Sequence, residues 1–164
     1  MDGADALTTI AEVAVGLAGF SGVVAVLGRQ PGEFSRVEAG RLAVLLLSSL
    51  GALFLALIPF ALFPLGLNPE SVWRTTSGLV AVFALSHLAV SYTELRRVRR
   101  EAPEIYSRSV AGTHFTILVV VLLLQLVGVV KGGELALSLY IFGLLGLLAV
   151  AAFQFVRILF VRPR

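Results

Sequence analysis

The sequence has 164 residues, of which 58% are hydrophobic and only 14% are charged. Soluble domains carry about 25% charged and 45–50% apolar residues, so this composition excludes an ordinary soluble domain. Cysteine is absent, which excludes disulfides, thiolate metal sites and cysteine nucleophiles. The net charge of +3 comes from arginines between apolar runs, a pattern typical of membrane topology rather than of nucleic-acid binding.

Five apolar runs are long enough to cross a membrane as helices, which takes about 20 residues. They cover residues 6–27, 42–67, 75–95, 113–130 and 135–161. The first residues are acidic, whereas a secretory signal begins with positive charge, so we expect the first run to be kept as a span. The sequence thus predicts an all-α integral membrane protein, a five-transmembrane-helix bundle forming one domain over 1–164. A cytoplasmic helical hairpin is predicted over 96–112.

Several local signals separate the runs. Pro59 and Pro64 predict a kink or an early end in the second helix. Asn68 and Pro69 have the pattern of an N-cap followed by proline at the first helical position. The pair Gly132-Gly133 separates the fourth run from the fifth. These signals divide the second half of the chain into three distinct helices.

The distribution of basic residues predicts the orientation. If the N-terminus lies outside, eleven of the thirteen Lys and Arg residues fall on the inner side, and only Arg74 and Lys131 fall on the outer side. Because inner loops are enriched in basic residues, we expect an N-out, C-in protein in a plasma membrane of the bacterial inner-membrane type. Four arginines after the third span, expected to contact lipid head groups or a docking partner, are Arg96, Arg97, Arg99 and Arg100.

The first span carries a polar and glycine-rich face. Thr8, Glu12, Gly16 and Gly19 recur at helical spacing, and Glu12 lies about 9 Å into the span at ~1.5 Å per residue. Glycines permit close helix–helix approach. A glutamate on a helix that lines a symmetry axis would form a ring of carboxylates, as in cation-selective pores. The alternative is a glutamate that reaches water or a neighbouring helix near the outer interface.

The last three spans each carry one sparse polar stripe. His87, Ser91 and Glu94 share a face of the third span, and Gln154 and Arg157 lie on one face of the fifth. The predicted stripe of the fourth span comprises His114, Leu118, Val121, Gln125 and Gly128. Hydrogen bonding inside the bundle explains such stripes. The functional alternative is a proton or ion path in which His87 titrates near neutral pH. Ligation of haem or a metal by the two histidines is a further alternative, without a supporting motif.

A four-residue segment resembles a catalytic motif. Gly19-Phe20-Ser21-Gly22 is similar to the Gly-x-Ser-Gly motif of rhomboid intramembrane proteases, and His87 lies two spans later, as the base does in that family. The resemblance implies a serine nucleophile at Ser21. The chain departs from the family in lacking a sixth span and a long structured loop. A rhomboid-like protease is therefore the last of the alternatives.

Five spans with little mass outside the membrane predict self-association, because polar and glycine faces need partners. An odd number of spans without an internal repeat does not suit a transporter built from inverted halves. We therefore expect a homo-oligomeric ion channel or pore lined by the first helix. The pathway residues are Glu12, Thr8, Gly16, Gly19 and His87. The alternative is a non-catalytic scaffold or accessory subunit of a larger membrane complex.

The expected partners are the lipid bilayer, further copies of the chain and, in the scaffold alternative, another membrane subunit. No nucleic acid, cofactor, metal or enzymatic activity is expected. The polar residues expected in the bundle interior are Ser91, Glu94, His114, Gln125 and Gln154.

Overall fold

The computed structural model describes residues 3–27, 36–101 and 107–160. These residues form five α-helices: α1 (Gly3–Leu27), α2 (Arg36–Leu62), α3 (Pro69–Glu101), α4 (Arg108–Lys131) and α5 (Gly133–Phe160). All five are long and apolar enough to cross a membrane, which confirms the all-α class and the number of spans. Part of the predicted hairpin over 96–112 lies outside the described residues, namely 102–106.

The connection between α2 and α3 follows its local sequence. Helix α2 contains Pro59 and is followed by a short 3-10 turn over Phe63–Leu65. Gly66 then adopts φ +74°, a left-handed conformation that favours glycine. The side chain of Asn68 accepts a hydrogen bond of 2.7 Å from the backbone N–H of Ser71. The predicted early end of the second helix and the N-cap of the third are thus confirmed.

Two glycines form the turn between α4 and α5, as predicted. Gly132 and Gly133 have φ values of +67° and +63°. A Cβ atom at Gly132 would also lie 2.6 Å from Nε of Arg74 and 2.8 Å from a carboxylate oxygen of Glu70. These two side chains form an ion pair at 2.7 Å. Glycine is therefore required at 132 both by the backbone conformation and by the ion pair beside it.

Helix α5 is the centre of the bundle. It contacts each of the other four helices, while α1 packs on α2 and α5, and α4 packs on α3 and α5. Its completely buried side chains include Leu144, Leu147 and Val150. The hydroxyl of the buried Tyr140 donates a hydrogen bond to the backbone carbonyl of Leu55 in α2. The apolar character of α5 is therefore explained by burial against its neighbours as well as by membrane insertion.

Glycines allow α4 to approach α5 closely. A Cβ atom at Gly143 would overlap the amide of Gln125, and one at Gly146 would overlap a methyl group of Val121. Small residues at helix contacts have this role in membrane proteins. The hydrophobic effect does not drive helices together in lipid, so close van der Waals packing must hold them instead. The buried residues of α4 coincide with the predicted stripe, which confirms it: His114, Leu118, Val121, Gln125 and Gly128.

Candidate functional site

The polar face of α1 points away from the rest of the bundle. Thr8, Glu12, Gly16 and Gly19 are all exposed, whereas the opposite face buries Leu7 and its apolar neighbours against α2 and α5. A Cβ atom at Gly16 or Gly19 would meet nothing within 4 Å. The predicted face therefore exists as a surface, and no helix of the same chain covers it in the described part of the structure.

Glu12 is the charged group on this outward face. Among residues 3–27, 36–101 and 107–160, its carboxylate has neither a hydrogen-bond nor an ion-pair partner. The hydroxyl of Thr8, one turn away, donates a hydrogen bond to the carbonyl of Ala4 at 3.0 Å and so is satisfied within α1. A carboxylate at this depth in a span is unfavourable beside lipid, and such groups normally face protein or water. The carboxylate of Glu12 therefore faces the surroundings of the chain, where water or another protein would have to accommodate it.

The two histidines come together inside the bundle. The ring centroids of His87 and His114 lie 5.6 Å apart with an edge-to-face geometry, and the ring of Phe83 covers His87 at 5.9 Å. Nε2 of His114 is 2.9 Å from the hydroxyl of Ser91. His87 is only 1% exposed, and neither of its ring nitrogens has a hydrogen-bond partner among the described residues. The predicted stripes of α3 and α4 therefore meet at this pair.

The histidine pair provides few ligands for a metal. No cluster of three or more His, Cys, Asp or Glu side chains suited to a metal ion occurs in the described ranges. Zinc sites use at least three protein ligands, and two imidazoles fall short of that. His87 also lies on α3, which is not among the helices on which α1 packs. The structure does not bring these two predicted pathway residues together.

On α4, the interior polar groups do not form a continuous series within the described structure. Gln125 donates a hydrogen bond of 2.6 Å to the carbonyl of Leu139 on α5. On the buried stripe of α4, Leu118 and Val121 lie between Gln125 and His114 and are almost completely buried. The separation of 11 residues corresponds to about 16 Å along the helix axis at ~1.5 Å per residue. Two buried apolar side chains therefore separate the two polar groups along α4.

A cavity of about 140 Å³ opens beside His114. It lies where α2 and α4 begin and α3 and α5 end, which we call the basic end of the bundle. Ser91, His114 and Gln154 line it, so three of the residues predicted for the bundle interior meet there. Glu94, predicted for the same interior, is exposed at the cavity rim, and one of its carboxylate oxygens lies 3.9 Å from Nη1 of Arg97.

Sequence reasoning did not identify Arg41 and Arg157 as neighbours in this cavity. Arg41 lies near the start of α2 and Arg157 near the end of α5, more than a hundred residues apart in the chain. The available signal was the spacing of Arg157 three residues after Gln154 on one face of α5. No feature of the nearby sequence indicates that Arg41 belongs to this cavity, because its position depends on how α2 packs against α5.

The four arginines at the end of α3 remain on the surface. All four are exposed, and the guanidinium carbon of Arg96 lies 4.5 Å from the centroid of the Tyr92 ring. A cationic group stacked on an aromatic ring near a helix end suits the interface between membrane and water. Contact of these side chains with lipid head groups remains a prediction.

The arrangement expected of a rhomboid-like protease is not formed. Ser21 is buried, and its hydroxyl donates a hydrogen bond to the carbonyl of Leu17 in the preceding turn of α1. Since neither nitrogen of His87 has a hydrogen-bond partner among the described residues, the serine and the histidine do not form a dyad. Ser21 is therefore a helix-packing residue in this structure. No protein-family model, curated protein or solved structure matches the chain.

Proposed function

We propose that the chain is a subunit of a homo-oligomeric ion channel in which the polar face of α1 lines the pore. The observation that carries the proposal is the outward position of Glu12 together with Gly16 and Gly19. A charged group that faces lipid costs up to roughly 2.5–3.5 kcal/mol on insertion scales, the value at the helix centre. Placing the same face around a shared, water-filled axis removes that cost and gives a ring of carboxylates.

The packing of the chain favours a pore between subunits over one within a subunit. The centre of the bundle is occupied by α5, and an apolar stretch of α4 separates Gln125 from His114. A path along α4 within one chain would have to cross that stretch. A pore between subunits needs only the exposed face of α1, and the absence of side chains at Gly16 and Gly19 leaves room there for close approach or for water. The proposal gives no residue a catalytic role and requires no cofactor.

The channel proposal is tested by removing the charge of Glu12. In planar bilayers, purified protein should conduct cations, and Glu12→Gln should lower the cation-to-anion permeability ratio by about tenfold, equivalent to 1.4 kcal/mol. The reason is that a ring of carboxylates concentrates cations at the pore. The matched control is Glu134→Gln, which removes the same charge from an exposed position in the first turn of α5.

Two results would contradict this proposal. Bilayers that stay silent under varied pH, voltage and tension would exclude a channel. An equal effect of both glutamate variants would remove Glu12 from the pore while leaving a channel in place.

An alternative function is supported by the exposed surface of the central helix. Although α5 contacts the four other helices, Phe142, Leu145 and Val156 remain exposed on it. A span of a different subunit could pack on this surface, as expected for a scaffold or accessory subunit. Because the chain has no cysteine, oxidation of the Gly19→Cys variant in native membranes discriminates the two functions. A channel subunit should give a disulfide-linked dimer of this variant, whereas Val82→Cys, exposed on α3, should stay monomeric.

The proposed orientation has its own test in single-cysteine variants. With the N-terminus outside, Leu67→Cys in the α2–α3 connection should react with a membrane-impermeant maleimide on intact cells. Ser107→Cys, at the start of α4, should react only after the membrane is opened. Both positions are exposed, so access to either depends on the side of the membrane. The reverse pattern of labelling would contradict the orientation predicted from the basic residues.

A further inference from the structure

The cavity at the basic end has a mixed lining. The apolar side chains of the lining are Val44, Leu95, Val98 and Phe115, and its polar side chains include Arg41, Ser91, His114, Gln154 and Arg157. One water molecule needs about 10–15 Å³ of cavity volume, so about 140 Å³ accommodates a group of several heavy atoms. The mixed lining suits a ligand with one charged part and one apolar part.

Arg157 is the charged group of the lining that favours an anion. The other charged side chains that line the cavity are Arg41 and Glu94. The guanidinium of Arg157 donates a hydrogen bond to the side-chain oxygen of Gln154 at 3.2 Å. No carboxylate in the described parts of the chain pairs with Arg157, whereas Glu94 lies beside Arg97. A half-buried guanidinium without a carboxylate partner is a site where an oxyanion can bind.

Helix α4 and His114 add hydrogen-bond donors. Val110 and Ala111, in the first turn of α4, line the cavity. The side chain of Ser107 does not cap this helix, and the N–H of Ala111 donates to the carbonyl of Ser107 at 3.1 Å. The N–H of Val110 is therefore the one of these two that has no hydrogen-bond partner among the described residues. Such a helix start favours negative charge. His114 is only 6% exposed, lines the same cavity, and its Nδ1 has no hydrogen-bond partner among the described residues.

We propose that this cavity binds the phosphate oxyanion of an acidic phospholipid head group. Arg157 and the start of α4 would hold the phosphate oxygens, and the apolar side chains of the lining would contact the glycerol and the first acyl carbons. The lining residues lie near the ends of four candidate spans, which is the depth expected of the head groups. The site is separate from the exposed arginines at the end of α3, and it does not depend on the proposed channel.

The test uses the full chain in a neutral detergent and native mass spectrometry. The probes are dioleoylphosphatidylglycerol, dioleoylphosphatidylcholine and inorganic phosphate. We expect one phosphatidylglycerol per chain, bound at least tenfold more tightly than phosphatidylcholine. Arg157→Gln should weaken this binding about tenfold, since one charge-assisted contact is lost. Arg99→Gln, which removes an exposed charge at the same end, should change it less than twofold.

A second variant keeps every charge. Gly40 lines the cavity, and a Cβ atom there would meet nothing within 4 Å, so Gly40→Leu should fill the space without disturbing the fold. It should abolish binding even if Arg157→Gln fails to fold. Displacement of the lipid by millimolar inorganic phosphate would support an oxyanion site. It would also identify the ligand of that site as soluble phosphate rather than a lipid head group. Equal binding of the two lipids, equal losses in the two arginine variants, or unchanged binding in Gly40→Leu would each overturn the proposal.

Discussion

Replacing Gly143 with leucine is expected to destabilise the bundle by about 3 kcal/mol or more, the largest effect that we expect of a single substitution. A Cβ atom at this position already overlaps the amide of Gln125. Overpacking alone costs about 1–3 kcal/mol. Displacing Gln125 also breaks its hydrogen bond to the carbonyl of Leu139, which leaves a buried amide without a partner.

Tryptophan fluorescence during unfolding in mild detergent provides the measurement. The only tryptophan of the chain, Trp73, lies 5.5 Å from the ring of Phe63 and 6.1 Å from that of Tyr140, so it reports on packing against α5. The matched control is Gly112→Leu on α4, an exposed glycine with open space around it. The control should be neutral or more stable by less than about 1 kcal/mol, because leucine is the better helix former. Equal stability of the two variants would contradict the close α4–α5 contact.

Replacing His87 with leucine is expected to stabilise the folded chain by about 1–2 kcal/mol. Both nitrogens of the imidazole are buried without hydrogen-bond partners in the described structure, and a neutral imidazole has one donor and one acceptor to satisfy. Leucine is of similar size and has no polar group to bury. His87→Gln is the control, since it keeps a buried polar group and should bring no such gain.

The same variant separates two pathways for ions. If the pore lies on the α1 axis, His87→Leu should keep its conductance while Glu12→Gln changes selectivity. If the path runs through the histidine pair, conductance should disappear in His87→Leu although the protein is folded. A loss of stability in His87→Leu, rather than a gain, would show that the imidazole has a partner that the described residues do not provide.

Much of the fold was predictable because its determinants are local. A run of apolar residues specifies a span without reference to any other helix, since the lipid itself replaces the missing neighbours. The backbone restrictions of proline and glycine and the capping by asparagine act within a few residues, which is why Pro64, Asn68 and Gly132 predicted helix ends correctly. The buried stripe of α4 was predictable for the same reason, because side chains three or four residues apart share a face.

The candidate sites were predictable only in part. Helical spacing placed Glu12 and Gly16 on one face of α1, and His114 and Gln125 on one face of α4, but the pattern is the same whether a face meets protein, lipid or water. Only the structure therefore showed that the polar face of α1 is exposed and that the stripe of α4 is buried. The burial of the second face follows from the central position of α5.

By itself, the sequence determined that this is a membrane protein of five helices, where most of those helices end, and which residues share a face. Only the tertiary structure decided which faces meet. It brought His87 to His114, and Arg41 to Arg157 across more than a hundred residues of sequence. The physical reason is that helix periodicity is a property of one segment, whereas the partner of a face is set by the packing of all helices around α5.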